Sequence, residues 1–187
     1  TTVAARRAAE KLARDLVGTC PADLAGSQYC GEYIVDFTVA PGSETENPVT
    51  HMAFGYATQV VLLSDAGRLE KVVAAHDVGR AINPQACAGQ IEGGVHMGLG
   101  YALSEDFPCS GGVPNSLKIR DLGILKAADT PTAEVLLIEV PDPVGGYGAK
   151  GVGEIGLVPT AGAVAGALRS FDGRWRNELP MSDSAAA

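Results

Sequence analysis

Apolar residues recur along this chain with two different periods, and the change of period marks its elements. From Val3 to Val17, Val3, Ala8, Leu12 and Leu16 fall near one stripe with Arg and Lys opposite, which predicts an amphipathic helix stopped by Gly18. Between Gly26 and Pro48 the pattern loosens. One short apolar run there (Tyr33, Ile34, Val35, Phe37, Val39) is a strand candidate, and PGSETENP is a loop by composition. Two runs rich in Val and Leu, Tyr56–Ser64 and Leu69–His76, flank Asp65-Ala66-Gly67 and predict a hairpin. Asn83 and Pro84 then form a cap and first turn for a helix with Ile91, Val95, Leu99 and Leu103 at helical spacing. A polar loop, PCSGGVPNS, precedes a third strand-like run, Glu134–Val140. The loop PDPVGGYGAKG leads on to a small-residue helix over about 158–170, and the chain ends in SDSAAA. These elements predict an α+β fold, a mixed or antiparallel sheet with packed helices. Residues 1–25 form a helical N-terminal appendage, 26–180 the main domain and 181–187 a flexible tail.

Composition narrows the function classes. A length of 187 residues suffices to bury a core without disulfide or metal staples. With 14 Lys and Arg against 22 Asp and Glu, the formal charge is −8, the wrong sign for a nucleic-acid binder. No apolar stretch is long enough for a transmembrane helix, and no signal peptide is visible. Cys20, Cys30, Cys87 and Cys109 include no C-x-x-C pair, which argues against zinc or an iron–sulfur cluster held by this chain. They read as reduced, mostly buried thiols of a cytoplasmic protein. Glycine supplies 24 residues, nearly twice the usual share of about 7%. Gly89, Gly93, Gly94, Gly98 and Gly100 all fall in the Pro84 helix, where each costs about 1 kcal/mol relative to alanine. A helix that accepts this expects another backbone, or a ligand, at very close range.

The stretch Gly145–Gly156 (GGYGAKGVGEIG) is the densest concentration of such residues. Its Gly151-x-Gly153-x-x-Gly156 matches a dinucleotide fingerprint in letters only. The preceding strand candidate ends near Val140, too early for a Rossmann turn, and Glu154 would repel a pyrophosphate. Lys150 precedes glycine rather than Ser or Thr, so the P-loop reading fails as well. What remains is one carboxylate, Glu154, in a glycine-lined turn just before a helix. It is either a helix-terminal glutamate favoured by the dipole or a general base facing a bound group. His51, His76 and His96 complete no triad or zinc motif and read as structural.

Three segments in order and in register now carry a resemblance. They are Val73–Pro84 (VAAHDVGRAINP), Gly89–Gly94 (GQIEGG) with Met97–Leu103 (MGLGYAL), and Gly148–Glu154 (GAKGVGE). Over about residues 26–180 the chain resembles the C-terminal part of the molybdenum-binding subunit of the xanthine dehydrogenase and aldehyde oxidoreductase family. Lys118–Leu125 and Phe171–Gly173 look most like the selenium-dependent xanthine dehydrogenase branch. The resemblance implies the C-terminal segment of a molybdopterin-binding domain. It implies that Glu154 is the base that takes a proton from a hydroxyl on molybdenum, so that the oxygen attacks an electron-poor C–H carbon of a purine or aldehyde. Hydride would then pass to a sulfido or selenido ligand. Gln90 matches the glutamine that hydrogen-bonds the pterin, a task for which an amide can both donate and accept. Lys150, Gly151, Val152 and Gly153 would lie beside the cofactor, with plain solvent exposure the other reading of Lys150. The implied cofactor is molybdenum on molybdopterin, in the cytosine dinucleotide form, with labile selenium possible in chemistry of this branch. Molybdenum would be held by the dithiolene and by no protein ligand, with no iron–sulfur cluster or flavin in this chain. The implied partners are the remainder of the molybdenum subunit and iron–sulfur and FAD subunits or domains. The chain would then be a split subunit or a fragment. The alternative is a non-catalytic assembly or cofactor-insertion module of the same fold, which would have little reason to keep Glu154.

Overall fold

A computed structural model describes residues 2–187. Its centre is a three-stranded mixed sheet whose middle strand is Leu69–Asp77. Strands β1 (Ala57–Leu63) and β2 (Leu69–Asp77) form the expected antiparallel hairpin, with Val60 opposite Val73. The turn between them requires Gly67, which has φ +78°. Strand β5 (Thr132–Ile138) pairs with β2 in parallel, with Ala74 beside Val135. A parallel neighbour needs a crossover, and helix α2 (Pro84–Leu103) lies in it. The Asn83 Oδ1 caps this helix by accepting from the Ala86 N–H at 3.0 Å.

One face of the sheet carries the core. Val61, Val72 and Ala74 project onto Ile91, Val95, Leu99 and Leu103 of α2 and onto Val164 and Leu168 of helix α3 (Thr160–Asp172), and all of these are buried. The helical stripe read from the sequence is therefore the stripe that α2 buries. Gly173, at φ +74°, closes α3. The segment 181–187, read as a free tail, lies against the body: Met181 is buried, its N–H donates to the Ala102 carbonyl at 2.7 Å, and Ala186 packs on the core.

Several local expectations need correction. Helix α1 (Thr2–Asp15) forms, but only Val3 of its apolar stripe is buried, while Leu12 and Leu16 remain exposed. Its neighbours explain this. Val3 meets the Gly146 turn, and the rest of the helix is overlain by an extended segment held through its carbonyls, Arg7 donating to Glu32 and Lys11 to Cys30. That segment runs into Tyr33–Val39, which forms no strand. Among the described residues no neighbouring backbone offers it a ladder beyond one Val39–Val49 hydrogen bond. The loop around Gly111 contains a minimal hairpin, β3 (Cys109–Ser110) with β4 (Val113–Pro114). All four cysteines are free, yet Cys20, Cys30 and Cys109 are exposed and Cys87 is half-buried. They sit in loops, a two-residue strand and the first turn of α2, none of which faces the core.

Candidate functional site

The first half of α2 forms one wall of a groove of about 270 Å³, through Gly89, Gln90, Gly93, Gly94 and Met97. The other wall is the turn before α3, which contributes Gly153, Glu154 and Leu157. The helix glycines divide by face. Where Gly89 and Gly93 would carry a Cβ there is open space, so their backbone is bare toward the groove. A Cβ on Gly94 would stand 2.8 Å from the Gly156 Cα and 2.9 Å from the Leu157 nitrogen, and one on Gly98 would strike the Thr160 side chain. One set of glycines thus opens the groove, and the other seats the turn and α3 against α2.

Glu154 is exposed at the groove, and its carbonyl accepts from the Leu157 N–H at 3.1 Å, closing a turn. Helix α3 begins only at Thr160, so Glu154 stands six residues ahead of it. A helix dipole acts within the first turn, so the helix-terminal account of this carboxylate does not hold. Gln90 is exposed on the facing wall.

Behind the turn lies a buried polar set. The Gln59 amide donates from Nε2 to the Gly156 carbonyl at 2.7 Å and lies 3.1 Å from the His76 Nε2. The Thr160 hydroxyl sits 2.8 Å from the Gln59 Oε1 and 3.0 Å from the Gly156 carbonyl. His76 and Thr160 are fully buried. Burial holds the His76 pKa below the ordinary imidazole value.

Solvent exposure, one of the two readings of Lys150, does not hold. Its ammonium forms an ion pair with Asp77 at 2.5 Å, with both side chains almost wholly enclosed. The Asp77 carboxylate also accepts from the Gly79 N–H at 3.0 Å and the Val140 N–H at 3.4 Å. Burial alone would raise its pKa, but Lys150 and the two amides together hold it below the usual carboxylate range. The reason is topological. The 141–150 loop returns beside the end of β2, where Lys150 N–H donates to the Val78 carbonyl and Arg80 N–H to that of Gly148. Gly151 is exposed, and Val152 packs partly on the core.

Of the six residues singled out from the sequence, the fold brings Gln90, Gly153 and Glu154 around one groove and leaves Lys150, Gly151 and Val152 outside its lining. Gln59 and Thr160 were missed. A signal existed for Gln59, a polar residue at the inward position of a strand whose next inward residues are Val61 and Leu63. No described helix is long and apolar enough to cross a membrane.

Comparison with known proteins identifies the family. Residues 3–131 match the molybdopterin cofactor-binding domain family, a span that includes all of α1 but Thr2. The chain is 31% identical over 116 residues to the xanthine dehydrogenase molybdenum-binding subunit of Escherichia coli O157:H7, covering 61% of this chain and 15% of that protein. It is 34% identical over 133 residues to a probable xanthine dehydrogenase subunit of Bacillus subtilis strain 168, covering 70% and 18%. The crystal structure of the aldehyde oxidoreductase from Desulfovibrio desulfuricans superposes with a TM-score of 0.75 at 26% identity, over 95% of this chain and 21% of that one. The chain thus spans about a sixth of the length of these curated relatives. With the family match covering more than half of its residues, the chain belongs to the molybdopterin cofactor-binding domain family.

Proposed function

We propose that this chain supplies the reacting carboxylate and a cofactor-binding amide to a molybdenum hydroxylase, with Glu154 as the base and Gln90 as the pterin contact. The observation that carries the reading is the groove itself, with Gln90 and Glu154 on opposite walls and bare backbone at Gly89 and Gly93 between them. Glycines that leave open space at a helix surface suit a flat heterocycle, which approaches backbone more closely than any side chain would allow. Gln90 can donate to and accept from such an edge. The backbone of Gly153 lines the groove beside Glu154, and that of Gly151 and Val152, just before it in the chain, would meet the same group from outside this lining. When bound, the molybdenum pterin would supply the two-electron oxidant for an electron-poor C–H carbon, with water as the oxygen source.

The chain's own part is then proton handling. The Glu154 carboxylate accepts the proton whose removal creates the nucleophile, so it must be anionic in the resting site. The names of the relatives support a purine of the xanthine type or an aldehyde as substrate. Electrons would leave to iron–sulfur and flavin modules on other chains or domains. The cytosine dinucleotide form of the cofactor and the use of selenium complete the proposal, and the selenium part rests on the sequence of 118–125 and 171–173 alone.

The test is Glu154→Gln in the assembled enzyme. Turnover lost by about 10²–10⁴-fold at unchanged molybdenum content supports the reading, and activity within about tenfold of the parent removes Glu154 from the chemistry.

A further inference from the structure

We infer that Gln59, Thr160 and His76 form a positioning latch that grips the Gly156 carbonyl and so sets the Glu154 turn at a fixed place against α2. The positioning role rests on the proposal that Glu154 is the reacting carboxylate.

Side-chain packing holds the turn only in part, with Val152 and Ile155 partly buried against the core and glycine at 151, 153 and 156. Gly156 meets α2 by backbone alone, since a Cβ there would lie 2.7 Å from the Ile91 carbonyl and 3.0 Å from its Cα. Gly153 and Gly151 have open space where side chains would be. Side-chain packing at these glycines therefore cannot set the position of Glu154. The Gly156 carbonyl, two residues along the same turn, receives two inward donors instead. Gln59 Nε2 donates to it at 2.7 Å, and the Thr160 hydroxyl lies at 3.0 Å. These donors come from β1 and from the first residue of α3, so the turn is referenced to the sheet and to a helix at once.

The hydrogens of the set can be followed one by one. Gln59 Nε2 carries two, one for the Gly156 carbonyl and the other for the His76 Nε2. Thr160 has one, which lies between the Gln59 Oε1 and the Gly156 carbonyl. The His76 Nε2 is thus an acceptor, which puts the imidazole proton on Nδ1, a fully buried atom with no partner among the described residues. Such an orphan is rarely kept in a core unless something else is gained. Here an obligate acceptor at Nε2 orients the Gln59 amide, and that orientation directs its other hydrogen at Gly156. The histidine is a positioning residue acting through Gln59.

The experiment uses the assembled molybdenum enzyme that contains this chain. Thr160→Val keeps the shape and removes the hydroxyl. Gln59→Glu keeps the acceptor for Thr160 and removes both amide donors, and it gives a second route if the valine variant does not fold. The readouts are amide hydrogen exchange over residues 153–158, molybdenum content, and kcat separately from KM. Both variants should speed exchange in 153–158 by about tenfold, the size of one lost hydrogen bond to a buried group, with exchange in α1 unchanged. At equal molybdenum content, kcat should fall by about tenfold or more with KM held within about threefold, because a displaced base weakens the reacting geometry rather than substrate binding. Thr160→Ser should restore both. Unchanged exchange in 153–158 overturns the latch, and faster exchange with unchanged kcat overturns its positioning role. An active Glu154→Gln enzyme would instead sink the reading of Glu154 and leave the exchange result standing.

Discussion

Residues 145–150 and 151–154 are consecutive halves of one glycine-rich run, and the fold uses them in opposite ways before Gly156 packs against α2 again. In the first half the glycines make room for backbone. A Cβ on Gly145 would collide with the Ala149 carbonyl, and one on Gly146 would meet Thr2 at 2.7 Å. That half is fastened by the enclosed Lys150–Asp77 pair and by the hydrogen bonds joining Val78 and Arg80 to the loop. In the second half Gly151 and Gly153 face open space, and Glu154 is exposed at the groove. The same residue type thus serves close packing on one side and an unobstructed approach on the other. A clamp built of charge and amides stands directly before the carboxylate and gives the open half a rigid origin.

The contrast can be broken at several points. The largest effect should come from Glu154→Gln, with turnover lost by about 10²–10⁴-fold. If the open half carries chemistry and no folding burden, the melting temperature of this variant should match the parent's. Lys150→Met should do the reverse. Removing one partner of an enclosed ion pair costs about 3–5 kcal/mol because the Asp77 charge is left unpaired. Denaturant unfolding of the assembled subunit would read this loss, and a stability unchanged by Lys150→Met would mean that the clamp is not one.

A matched pair of alanines probes the two halves more finely. Gly145→Ala should destabilise by about 1–3 kcal/mol through backbone overlap, while Gly153→Ala should leave stability within about 0.5 kcal/mol. Gly153→Ala should still reduce molybdenum retention, measured by elemental analysis, if that face meets the cofactor. Gln90→Ala should weaken pterin retention by about 1–3 kcal/mol with no change in melting, and full retention would place the cofactor away from this wall of the groove.

The smallest effect is on pH. Both buried groups have pKa values lowered by folding, so each contributes stability at neutral pH that is lost on acidification. His76 acts first, as pH falls below its unfolded value of about 6.5. Asp77 follows below about 3.9, as pH falls toward its depressed folded value. The melting temperature should therefore decline gently from pH 7 and steeply below pH 4, and the Lys150→Met variant should lack most of the steep limb.

Much of this was legible in the linear order of residues. Asn83-Pro84 and the Ile91, Val95, Leu99, Leu103 spacing define α2, because capping and helical periodicity are local properties. The 57–77 hairpin follows from a turn glycine between two β-rich runs. The crowding of glycines in α2 pointed to a close approach, and Glu154 stood out as the lone carboxylate among glycines. Tyr33–Val39 misled because alternation is a property of one segment, whereas a strand needs a partner that the sequence does not name.

What the sequence by itself determined is which residues have unusual chemistry and which segments are helical or extended, since these depend on neighbours a few positions away. Only the tertiary structure decided which of those residues meet. Asp77 and Lys150 are 73 positions apart and Gln59 and Thr160 are 101 apart, and no local pattern encodes such pairings. They arise because the core stripe of α2 docks on the sheet and brings the 141–159 segment back across the end of β2. Burial then makes these pairings matter, because an unpaired charge or amide in that interior costs a large part of a marginal total stability.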